Sequence, residues 1–107
     1  LQAYQLSLRL LGLWERLDLM QRLPAGDYRR LDAAATGIAL NIAEGNGRFA
    51  PAERRRFFGL ANRAVTKTAA LLDLCVAKGR FVADELAESR HVLDRAAATT
   101  AGLARPR

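Results

Sequence analysis

The sequence predicts an all-α protein, folded as an antiparallel up-down-up-down four-helix bundle in a single domain over residues 1–107. Three observations predict it. The apolar residues are mostly Leu and Ala, both strong helix formers; they recur at helical spacing in four segments; and Pro, Gly or Asn stands between the segments. At 107 residues the chain is long enough to bury about 65% of its extended surface in one core without covalent staples.

The first segment runs from Gln2 to Leu23. Ala3, Leu6, Leu10, Leu13, Leu17 and Met20 follow alternating steps of three and four, and Tyr4, Leu8, Leu11 and Trp14 widen that seam to the face a bundle helix needs. Pro24 stops it and Ala25-Gly26 turns the chain. Asp27 is the expected N-cap of the second segment, whose inner face is Leu31, Ala34, Ala35, Ile38, Ala39 and Ile42. Gly45, Asn46 and Gly47 are expected to end it, because Gly and Asn tolerate left-handed backbone geometry.

The third segment, Pro51 to Lys78, is the longest. Pro51 suits the first helical position and Glu53 the acidic place of a capping box, although Ala50 supplies no capping oxygen. It carries two adjacent apolar stripes, one of Phe57, Ala61, Ala64, Thr68, Leu71 and Cys75, the other of Phe58, Val65, Leu72 and Val76. Two stripes mean burial against more than one neighbour. Gly79 closes this helix. The fourth segment, Val82 to Leu103, has the weakest seam, in Leu86, Leu93, Ala96 or Ala97, Thr100 and Leu103, and Thr99, Thr100 and Gly102 are expected to fray its end.

Charge is the main lead to function. Seventeen Lys and Arg against eleven Asp and Glu give a formal charge of +6, and nearly all the cations are Arg, whose guanidinium suits bidentate phosphate contact. GC-rich codon usage produces the same Arg and Ala enrichment. At about 100° per residue, Arg56, Arg63, Lys67 and Lys78 fall within about 60° of one another on the third segment, with Arg54 and Arg55 at the same end and Arg48 in the preceding turn. Such a row fits a phosphate backbone or an acidic protein surface, or is a solvated face partly offset by Asp73.

The chain offers little for catalysis. One cysteine and one histidine allow neither an internal disulfide nor a Cys/His metal cluster, so no catalytic residue, metal or cofactor is expected. Cys75 lies on an apolar stripe and reads as a core residue, and His91 has no orienting acid beside it. Asn41 and Glu44 share a helical face. As metal ligands they form a poor set; as structure, Asn41 bonds nearby backbone and Glu44 pairs with Arg48 or caps the next helix. The Gly45–Arg48 turn lacks the strand that precedes phosphate-binding glycine loops. Trp14 and Tyr4 read as packing or interface residues. No run approaches the ~20 apolar residues of a membrane span, and a cytoplasmic setting with no membrane partner is expected.

The stretch Asn41-Ile42-Ala43-Glu44-Gly45-Asn46-Gly47-Arg48-Phe49 resembles the signature of the bacterial 23S rRNA intervening-sequence proteins. Leu23-Pro24, Ala34 and Ile38 before it, and Glu53, Arg56-Phe57 and Ala61 after it, fit the same pattern, so the resemblance covers residues 13–75. It implies a four-helix bundle that assembles as a ring-like homopentamer, with Asn41, Glu44, Gly45 and Gly47 as a structural motif. A related branch, similar in fold and charge, comprises accessory proteins of diversity-generating retroelements, which bind a reverse transcriptase and nucleic acid. The chain departs from the family pattern at Ala50, Arg63-Ala64 and Lys67, and Arg63 and Lys67 add positive charge.

Charge and resemblance together lead to a non-enzymatic, oligomeric scaffold that binds RNA or DNA through Arg56, Arg63 and Lys67, with Arg48, Arg54, Arg55 and Lys78 around them. The alternative is a protein-interaction module whose basic face meets an acidic partner.

Overall fold

The computed structural model describes residues 1–106. Among them are five α-helices, one 3-10 turn and no strand: α1 (Gln2–Leu17), α2 (Leu19–Arg22), α3 (Ala25–Gly47), α4 (Pro51–Ala77), the turn Ala83–Leu86 and α5 (Ala87–Ala104). They form a helical bundle 43 Å long and 21 by 20 Å across. At about 1.5 Å per residue, α4 alone spans about 40 Å of that length. Packing runs α1 on α3, α3 on α4, α4 on α5 and α5 on α1, around one apolar cluster that includes Leu10, Leu31, Ile38, Ile42, Val65, Leu72, Leu86 and Leu93. No helix among the described residues is long and apolar enough to cross a membrane.

The first segment is not one helix. Asp18 takes a left-handed conformation (φ 57°, ψ 45°), separating α1 from α2. This one residue changes which side chains turn inward. Leu19 and Leu23 are buried, and Met20, expected in the seam, is 68% exposed. Trp14 is buried, its Nε1–H donating to Ser89 Oγ at 3.2 Å.

The bounds of α3 also differ from expectation. Pro24 occupies the N-cap position and Asp27 lies inside the first turn, so Asp27 is not the cap. At the other end the helix continues through Gly45, Asn46 and Gly47, none of which has positive φ, and Arg48, in extended backbone, closes it. Gly45 serves close packing instead. A Cβ there would stand 2.8 Å from Cε1 of the buried Phe58 ring.

Pro51 opens α4 at its first turn, as expected. The helix ends in paired reverse hydrogen bonds, Arg80 N–H to Cys75 O at 2.9 Å and Gly79 N–H to Val76 O at 3.0 Å. That ending needs a left-handed residue, supplied by Gly79 at φ 75°. The last segment begins with the 3-10 turn and is helical to Ala104. Thr99 and Thr100 donate to Arg95 O and Ala96 O, and Thr100 Oγ1 also accepts from Asn62 Nδ2 at 3.0 Å. The Asn62 bond ties the last turns of α5 to α4.

Candidate nucleic-acid interface

The cations of α4 divide by their position around the helix. Arg56, Arg63 and Lys67 lie opposite the buried row Phe58, Ala61, Val65 and Leu72, and all three are exposed. Arg55 stands to one side and is half-buried. Among the described residues none of these four makes an ion pair or a hydrogen bond. The reason lies in the sequence of the helix itself, which has no carboxylate between Glu53 and Asp73. Asp73 does not offset the row either, since it pairs with Arg90 of α5.

Arg54 is different. It falls on the inner side of α4, one turn before Phe58, and Nη1 donates to Asn46 O at 3.1 Å and Arg48 O at 2.9 Å. The last carbonyls of a helix have no partner within the helix, so Arg54 pins the end of α3 to the start of α4. Its guanidinium also lies 5.7 Å from the Phe58 ring centre. Arg48 donates to Glu44 at 2.9 Å, the pairing their spacing predicts, and lies 4.9 Å from the Phe57 ring centre. Arg56 lies 5.3 Å from the centre of the same ring. A clustered Arg–aromatic surface results at the α3–α4 junction.

Lys78, at the far end of α4, is paired. Asp27, whose side chain is 13% exposed, receives Arg30 at 3.2 Å, Lys78 at 3.4 Å and Arg80 at 3.6 Å. Nearby, Arg29 and Arg30 of α3 share a 350 Å³ hollow with Lys67. These two arginines are missing from the sequence-level set because they belong to another segment, and only packing brings them beside Lys67. Arg105 is a second omission: it lines a 360 Å³ groove with Pro51, Arg54, Arg55, Phe58, Gly102 and Leu103, where the end of α5 meets the start of α4.

Asn41 has a structural partner and Cys75 lies in the core. Asn41 Nδ2 donates to Gly37 O at 2.8 Å, and among the described residues no three His, Cys, Asp or Glu side chains gather as a metal site. Cys75 is buried, and burial, followed by the negative charge of Asp27, pushes its thiol pKa up, which suppresses the nucleophilic thiolate. His91 is exposed. The arrangement as a whole offers positive charge, donor groups and aromatic surface, the chemistry of binding a polyanion. Comparisons with protein-family models, with curated proteins and with solved structures return no match for this chain.

Proposed function

We propose that this protein is a non-enzymatic, basic helical-bundle scaffold that binds RNA or DNA through the phosphate backbone. The observation that carries the reading is the α4 face. Arg55, Arg56, Arg63 and Lys67 have no ion-pair partner among the described residues, on a stretch free of carboxylates from residue 54 to residue 72. Unpaired cations keep their counterions until a polyanion displaces them, and that release drives association.

An antiparallel up-down-up-down bundle is part of the proposal. Its support is that Asp27 meets Lys78, Gly37 lies beside Ala64 and Gly45 beside Phe58, while Asn62 meets Thr100 and Asp73 meets Arg90. Membership of the 23S rRNA intervening-sequence family and a homopentameric state rest on the signature at residues 41–49 and its flanking matches, whereas a role beside an enzyme such as a reverse transcriptase rests on likeness of fold and charge to the related branch. Self-association would use the side of α1 and α3. Leu8 and Leu40 are exposed there, and α3 has no charged residue between Asp32 and Glu44, so copies of a +6 chain meet there with least repulsion.

The alternative reading, an acidic protein partner, has one observation in its favour. Leu74 is 50% exposed and shares the outer face of α4 with Lys67 and Lys78, and an apolar side chain there adds nothing to phosphate contact. Size-exclusion chromatography with light scattering at two ultraviolet wavelengths, followed by salt titration of labelled RNA and DNA, separates the two. The double variant Arg63→Glu, Lys67→Glu is expected to weaken binding to every sequence and flatten the plot of log affinity against log salt by about two units. Protein that is free of nucleic acid and ignores both polymers at low salt would overturn the proposal.

A further inference from the structure

Phe49 is 98% exposed, an almost bare phenyl ring in water. It stands between Arg48 and the start of α4, at the junction where Arg48 and Arg56 flank Phe57. Two residues further on, Pro51 lines the 360 Å³ groove that Arg54, Arg55 and Arg105 share with Phe58, Gly102 and Leu103. That volume lies at the lower end of the roughly 300–1,000 Å³ of small-molecule clefts. Among the described residues Arg55 and Arg105 make no ion pair, and none of those that line the groove carries a carboxylate.

We infer that this end of the bundle holds unpaired, single-stranded nucleic acid, with a base stacked on Phe49 and the adjoining phosphates against Arg55 and Arg105. The inference deepens the proposed function and rests on it. A duplex hides its base faces within its own stack and presents phosphates and groove edges, so the phenyl of Phe49 would gain nothing from it. A single strand exposes base faces at intervals along a charged backbone, and the receptor for it is an aromatic ring interleaved with arginines. The open flank of α4, with Arg63 and Lys67 and no exposed aromatic ring among them, distinguishes no strand state. The junction therefore adds selectivity to an affinity that the flank supplies.

The test uses the full chain, a labelled oligothymidylate and a labelled duplex of equal length. Phe49→Ala is expected to weaken the single strand about tenfold, within the range of one base–aromatic stack, and to leave duplex binding unchanged. Phe49→Trp is expected to retain single-strand affinity, with its fluorescence quenched by the oligothymidylate and not by the duplex. Arg55→Ala with Arg105→Ala should lower the salt slope for the single strand by about 1.4 units.

Equal single-strand affinity for wild type and Phe49→Ala, or tryptophan emission indifferent to the oligothymidylate, overturns the inference while leaving the proposed function in place. Loss of oligomer mass in Phe49→Ala with unchanged single-strand affinity per subunit also overturns it, and assigns Phe49 to a contact between copies. A wild-type chain that binds neither probe removes both ideas at once.

Discussion

The two ends of the α3–α4 pair are equally rich in cations and opposite in what those cations do. At one end Arg30, Lys78 and Arg80 converge on Asp27, all within 3.6 Å of its oxygens. At the other, Arg48, Arg54, Arg55 and Arg56 have one carboxylate partner among the described residues, Glu44 on Arg48, and otherwise face helix carbonyls, aromatic rings or solvent. The difference lies in a single sheltered acid. A carboxylate within reach of three cations lowers the local field around all of them, whereas carbonyls and rings hold a guanidinium in place without cancelling its charge. Cation density read along the chain therefore overstates one end and describes the other well.

The contrast can be broken most severely at Gly45. Gly45→Val drives its side chain into the Phe58 ring, which already lies within 3.2 Å of an ideal Cβ at several atoms. Destabilisation of about 1–3 kcal/mol is expected, read as a lower denaturant midpoint. Gly47→Ala, where nothing stands within 4 Å, should be neutral or stabilise by at most about 1 kcal/mol. Equal losses at the two glycines would mean that the junction does not depend on that close approach.

A smaller effect is expected at the paired end. Asp27→Asn keeps the size of the side chain and leaves Arg30, Lys78 and Arg80 without their shared acid. Because the three cations are 40–64% exposed, solvent screening limits the stability loss to about 1 kcal/mol. The same change makes that end resemble the junction, so affinity for labelled RNA or DNA should rise about threefold at low salt and converge with wild type at high salt. Unchanged affinity would show that the paired cations lie outside the binding surface.

The smallest expected effect is a pH dependence. Glu85 accepts the Val82 N–H at 3.1 Å and Arg22 Nη2 at 2.7 Å, and the Val82 N–H, followed by Arg22, holds its carboxyl below the usual range. A lowered folded-state pKa gives stability that is present above the unfolded value and lost as pH falls through the folded one. Glu85→Gln should therefore lower the melting temperature slightly at neutral pH, with the gap to wild type closing below about pH 4. The Arg54–carbonyl bonds at the junction contain no acid and should persist through that window.

Much of this was legible in the residues. Pro51 and Gly79 mark both ends of α4 because proline and left-handed glycine act through backbone sterics that need no tertiary partner. The outward row Arg56, Arg63 and Lys67 follows from helical spacing alone. Arg54 is open to the same reasoning: it shares the face of Phe58, Ala61 and Val65, where a charged side chain needs an internal partner and not the surface. Gly45 shows the opposite case: Gly-Asn-Gly reads as a turn by local propensity, and the interhelical approach to Phe58 overrides it. Met20 leaves the seam for a related reason. No periodicity announces that Asp18 will turn left-handed and hand the inner position to Leu19.

By itself the sequence determined the helical content, the ends of α4, the core character of Cys75 and the excess positive charge, since each depends on composition or on interactions within a few residues. Tertiary structure alone decided that Arg54 turns to the helix carbonyls, that Arg29 and Arg30 join Lys67, that Arg105 joins Arg55, and that Asp27 is shared by three cations. Ion pairing and groove formation act over a few ångströms of space. Those distances link residues far apart in the chain, such as Asp27 with Arg80, and only the packed helices set them.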